Sequence, residues 1–172
     1  MPLPAFKYCR PESLPELERL LWKNKGKAKI LAGGTDLLVQ MKGGIQNPAV
    51  LIDIGNIKSL KGILYEDGKG IEILAGTKIA ELEASPLVRN KLYALYKAVT
   101  FLGSPQVRAM ATLGGNICNA SPCSDTVPIL MALGSELVIA GNKSERRLPV
   151  ESFLLDYRRV DLRAEEYLKS IM

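Results

Sequence analysis

The stretch Ile30-Leu31-Ala32-Gly33-Gly34-Thr35-Asp36-Leu37-Leu38 (ILAGGTDLL) reads as strand, tight glycine turn and helix start. Working outward, Ser13 stands as a plausible N-cap for a helix carrying Leu14, Leu17, Leu20 and Leu21 at helical spacing. Gly26 supplies a stop, and Ala28 to Ala32 a short strand. Thr35 caps a second helix with Leu37, Leu38, Val39 and Met41, which Gly43-Gly44 ends; Ala49 to Ile54 is another strand, apolar enough to be buried on both faces. This β-α-β-α-β order predicts a small parallel sheet that closes near Gly55-Asn56.

Beyond residue 56 the pattern changes. Gly62–Tyr65 and Ile71–Ala75 flank Asp67-Gly68-Lys69-Gly70, a hairpin signal. Helices are expected at 79–84, 86–102 and 127–133, strands at 136–140 and in the apolar tail 163–172, and a strand-like piece turning into a short helix at 148–155. The expected class is α+β in two lobes, a small parallel βαβ lobe over 1–56 and a larger mixed, largely antiparallel lobe over 57–172.

Composition limits the chemistry. The 172 residues contain no histidine, which excludes Ser-His-Asp and Cys-His catalysis, histidine metal ligands and histidine pH switches. Any reaction is therefore expected to be carried by a cofactor. The net charge of +5 comes from scattered basic residues with few aromatics, which argues against nucleic acid and suits an anionic small molecule. Cys9, Cys118 and Cys123 match no zinc or ferredoxin spacing. An odd thiol count, no apolar leader after Met1 and no membrane-length apolar run together read as cytoplasmic.

Two loops carry the functional signal. The first is ILAGGTDLL, an anion cradle in which glycines expose backbone N–H groups and the helix start adds partial positive charge. It lacks the Walker A lysine and is not GxGxxG, so a plain βα turn with an N-cap stays open beside it. The second is ATLGGNICNASPCSDTVP, Ala111 to Pro128, expected as a long irregular loop. Gly114-Gly115 offers close backbone approach, and Asp125 is either an acceptor for sugar hydroxyls or the N-cap of the next helix. Two glycine cradles suggest one elongated ligand with two phosphates, a dinucleotide.

This pairing resembles the FAD-binding medium subunit of the molybdenum hydroxylases, the xanthine dehydrogenase and aerobic carbon monoxide dehydrogenase family. The resemblance rests on AGGTDLL, on Val107 to Gly134 and on LPVESFLLDYR from Leu148 to Arg158. It implies the two-lobed FAD fold also seen in the vanillyl-alcohol oxidase group. It further implies that Ala32, Gly33, Gly34, Thr35, Asp36 and Leu37 wrap the pyrophosphate, with Thr112, Gly115 and Asn116 as the opposite wall. Asp125 would hold a sugar hydroxyl, Leu102 would lie near the flavin ring and Leu168 near the adenine end, although both leucines also read as ordinary core. Arg108 matches a basic position that touches FAD or braces the loop. Ala109 stands where many relatives have Asn, and the cysteine-rich insertion of the 4-hydroxybenzoyl-CoA reductase branch is absent. The implied role is electron relay: a large molybdopterin subunit oxidises substrate, a small subunit with two [2Fe–2S] clusters passes electrons on, and FAD delivers them to NAD⁺, oxygen or another acceptor. The family's further C-terminal domain is expected to be missing here, which leaves a flavin-free assembly or scaffold module as the alternative.

Overall fold

A computed structural model describes residues 3–172. The expectation of no apolar leader after Met1 lies, for Met1 and Pro2, outside the described residues. The first strand is β1 (Lys7–Cys9), followed by α1 (Leu14–Lys23), β2 (Ala28–Leu31), α2 (Leu37–Lys42) and β3 (Val50–Asp53). All three strands run parallel in the order β1-β3-β2, as the β-α-β-α-β pattern predicts. Central β3 is buried along Val50, Leu51 and Ile52, which is why it is nearly all apolar. Ser13 does occupy the N-cap of α1, but its side chain caps nothing. Thr35 is not the cap of α2; Asp36 holds that position, in helical conformation and also without a side-chain bond.

The second sheet is built from β4 (Ile63–Glu66), β5 (Gly70–Leu74), β6 (Glu136–Gly141), β7 (Ser144–Pro149) and β10 (Tyr167–Ile171). It is antiparallel, in the order β4-β5-β10-β6-β7. The short pair β8 (Leu154–Asp156) and β9 (Arg159–Val160) stands apart from it, reached from β7 through the single turn α9 (Val150–Phe153). The hairpin at Asp67–Gly70 forms as its turn residues dictate.

Between the two halves of this sheet the chain makes six helices: α3 (Ile79–Ala84), α4 (Pro86–Lys91), α5 (Tyr93–Phe101), α6 (Pro105–Met110), α7 (Leu113–Cys118) and α8 (Val127–Ala132). Two expectations are corrected here. The single helix expected over 86–102 breaks at Leu92, because α4 and α5 both pack against α3 and against each other, which a straight rod cannot do. The irregular loop expected from Ala111 to Pro128 contains α7. Glycine-rich LGGNIC has poor intrinsic helix propensity, and packing overrides it. Leu113 and Ile117 are fully buried, and a Cβ on Gly114 would stand 2.6 Å from that of Ala75.

The main core fills the larger lobe. A second core joins Leu17, Leu21, Val50 and Ile52 of the small lobe to Ile57, Leu60, Ala140 and Tyr167, so the two sheets share an apolar seam. At that seam Tyr167 donates its hydroxyl to Glu18 (3.3 Å), and Lys25 pairs with Glu165 (3.0 Å). No helix among the described residues is long and apolar enough to cross a membrane.

Candidate functional site

A cleft of about 360 Å³ runs between the lobes. One wall is the β2–α2 loop. The N–H groups of Ala32 through Leu37 find no acceptor among the described residues, and the first amide of this region to be paired is Leu38, which donates to the carbonyl of Gly34 at 3.2 Å. The cause is topological: β2 is an edge strand, and the loop leaves the sheet before its amides can join a ladder or a helix. Unpaired amides so placed are donors for an anion.

The opposite wall is Thr112 and α7, and it works differently. Its amides are spent internally. Leu113 donates to the Thr77 carbonyl, Gly114 to Ala75, Gly115 to Thr112 Oγ1 (3.0 Å) and Asn116 to the Thr112 carbonyl. The expected second glycine cradle is therefore a brace. What this wall offers a ligand is side-chain chemistry from Thr112 and Asn116. It also offers space at Gly115, whose missing Cβ would meet Thr112 Oγ1 at 2.8 Å and stand 3.8 Å from the Ala32 methyl of the facing loop.

Eleven of the twelve residues singled out from sequence line this cleft: Ala32, Gly33, Gly34, Thr35, Asp36, Leu37, Leu102, Thr112, Gly115, Asn116 and Leu168. Asp125 does not. It is exposed, and it does not cap α8 either; Thr126 holds the N-cap position, and Ser124 Oγ accepts the Val127 amide at 3.4 Å. The buried neighbours of Asp125 turn inward, which turns Asp125 itself to solvent. Leu102 and Leu168 are both core and cleft wall, so the two readings of each are compatible. Arg108 is a brace: it pairs with Glu83 (2.8 Å) and donates to the carbonyls of Leu102 and Gly103 at 3.2 and 3.1 Å.

The third wall, Arg158 to Leu168, was legible as a site only at Leu168. It runs through β9 to the start of β10 and supplies Arg158, Arg163 and Glu166 to the cleft, which Lys29 of β2 also lines. Its anchor is Arg146, which holds Glu166 (Nε–Oε1 3.0 Å, Nη2–Oε2 2.9 Å), the Asp161 carboxylate (2.7 Å) and the Asp161 carbonyl (2.6 Å). The hydrogen bond from Arg146 holds the Asp161 carboxyl below its usual range. Burial pushes the Glu166 carboxyl up, but Arg146 and the Arg163 amide outweigh it and leave it lowered. Both stay ionised at neutral pH. Gln40, also missed, bonds Asn119 (3.1 Å) and ties α2 to the end of α7 at the cleft.

Cys118 lines the cleft, but burial pushes its thiol up to about 12, with Lys29 opposing. Free amides on one side, an amide side chain on the other and cations at the rim fit an elongated, doubly phosphorylated ligand, and an apolar end at Leu102 and Val107 fits a flat ring.

A family model described as "FAD binding domain in molybdopterin dehydrogenase" matches residues 4–172. The carbon monoxide dehydrogenase medium chain of Hydrogenophaga pseudoflava is 37% identical over 152 residues, 88% of this chain and 53% of that one. The nicotinate dehydrogenase FAD-subunit of Eubacterium barkeri is 32% identical over 171 residues, 97% of this chain and 57% of that one. A solved structure of carbon monoxide dehydrogenase from Hydrogenophaga pseudoflava superposes with a TM-score of 0.95 at 35% identity, covering 99% of this chain and 59% of that chain. The chain thus spans between half and three-fifths of the length of these relatives.

Proposed function

Because the chain belongs to the family of FAD-binding domains of molybdopterin dehydrogenases, with FAD as its cofactor, we propose that it is the flavin-holding part of an electron-transfer subunit in a molybdenum hydroxylase. The observation that carries this reading is the run of unpaired amides from Ala32 to Leu37 facing Gly115 and Asn116 across the cleft. In it, those amides hold the pyrophosphate of FAD and Asn116 donates from the other side. Leu102 packs at the flavin ring and Leu168 at the adenine end. Asp125, exposed as it stands, reaches a sugar hydroxyl only by turning inward. The boundary near residue 56 divides the two lobes that close on the cofactor.

FAD bound there would supply the redox chemistry of an electron relay between a molybdopterin-binding large subunit, a small subunit with two [2Fe–2S] clusters and an acceptor such as NAD⁺. The residues of this chain bind, orient and shield. With no histidine and a protonated Cys118, they contribute no proton relay. Three unpaired thiols suit a cytoplasmic setting.

The test is reconstitution with FAD, followed by flavin absorbance of the desalted protein and a fluorescence titration. One flavin per chain, bound more tightly as FAD than as FMN, is the expected result. A chain that stays flavin-free, alone and when assembled with its large and small partners, overturns the reading in favour of a scaffold module.

A further inference from the structure

Asn116 Oδ1 is the meeting point of two buried hydroxyls. Ser124 Oγ lies 2.7 Å from it and Thr126 Oγ1 2.6 Å, and the two hydroxyls are 3.5 Å from each other. Ser124 is nearly buried and Thr126 wholly so. Lengths of 2.6 and 2.7 Å are those of O–H···O bonds, whereas an amide nitrogen in that place would stand at about 2.9–3.0 Å. The atom under the two hydroxyls is therefore the carbonyl oxygen. The NH₂ of Asn116 has no acceptor among the described residues, and the residue lines the cleft. Its backbone cannot drift, since its amide bonds the Thr112 carbonyl (3.0 Å) in a helix jammed against Ala75 at Gly114.

We infer that Ser124 and Thr126 are positioning residues that hold the Asn116 carbonyl oxygen inward, so that its NH₂ donor pair is presented to a phosphate oxygen of the ligand. The inference rests on the FAD reading for the identity of the ligand but not for the lock itself. It accounts for what the segment after α7 does. The sequence Ser124-Asp125-Thr126 buries its two hydroxyl residues to fix a side chain eight to ten positions earlier. An unlocked asparagine could turn its carbonyl to the ligand, and the repulsion between two oxygens would weaken binding.

The lock is tested first without flavin. Asn116→Asp keeps an oxygen for both hydroxyls and should leave Tm within a few degrees of the parent. Asn116→Leu strands two buried hydroxyls and should lower Tm by roughly 5 °C or more. Equal Tm values for the two variants overturn the lock. FAD titration then tests the donor. Thr126→Val should weaken binding about tenfold, Thr126→Ser should restore it, and Thr126→Val should add no further loss in an Asn116→Ala background. Asn116→Asp should bind FAD more weakly than Asn116→Ala, because it places an acceptor against the phosphate. A Thr126→Val loss that persists without Asn116, or an Asn116→Asp chain that binds like the parent, overturns the proposal. A parent chain that binds no FAD defeats the functional reading instead, and leaves the Tm comparison to judge the lock.

Discussion

Gly33 and Met110 meet backbone to backbone: a methyl group on Gly33 would stand 2.3 Å from the Met110 carbonyl oxygen and 2.7 Å from Cα of Ala111. The first cleft loop thus rests directly on the end of α6, and only a residue without Cβ permits it. Gly33→Ala must push these two backbones apart. It should cost about 1–3 kcal/mol in urea unfolding and weaken FAD binding, because the unpaired amides move with the loop. Gly26→Ala is the control. That glycine has φ +74° and nothing within 4 Å of the missing methyl, so it should cost no more than about 1–2 kcal/mol and leave FAD binding intact.

Arg146 anchors the third wall, and its loss should be read in acid. With the carboxyls of Asp161 and Glu166 lowered in the folded chain, their contribution is fully present above the unfolded carboxyl range and is lost as pH falls through the folded values. Arg146→Met leaves the buried Glu166 with only the exposed Arg163 guanidinium, 3.8 Å away, so its carboxyl should rise. The acid unfolding midpoint should move to higher pH. Stability at neutral pH should fall by about 2–4 kcal/mol, less than for a fully buried pair because Arg146 is partly exposed. An acid midpoint equal to the parent's would show that the network does not bear on stability.

Cys123 should react before Cys118. Cys123 is exposed, while burial keeps the Cys118 thiol protonated far above neutral pH. Brief iodoacetamide treatment near pH 8, read by peptide mass spectrometry, should label Cys123 and spare Cys118. Saturation with FAD should protect Cys118 further, since it lines the cleft.

Leu168 serves the core and the cleft together. Leu168→Ala should destabilise the fold by about 2–5 kcal/mol and also weaken FAD binding. Leu137→Ala, equally buried in the same core but absent from the cleft wall, should cost as much stability with little change in flavin affinity. Parallel losses of affinity in both variants would mean that Leu168 acts through packing alone.

Local order was legible where chemistry is local. The alternation of apolar runs with glycine stops determined the parallel β1-β3-β2 sheet, and Asp67–Gly70 determined its hairpin. The two glycine loops determined which segments face each other across the cleft. The helix break at Leu92 and the helical turns in 105–118 were not legible, because packing against α3 and Ala75 decides them and neither contact leaves a periodic trace. The same holds for the site. By itself the sequence, lacking histidine, pointed to a bound group for any chemistry, and its resemblance singled out Ala32 to Leu37 with Thr112, Gly115 and Asn116 as the residues expected to hold it. Only the tertiary structure decided that the first loop offers free amides and the second does not. Both loops contain a Gly-Gly pair, but hydrogen bonding is a property of neighbours: β2 is an edge strand whose exit meets no acceptor for its amides among the described residues, whereas α7 lies against Ala75 and Thr77, whose carbonyls take up its first donors.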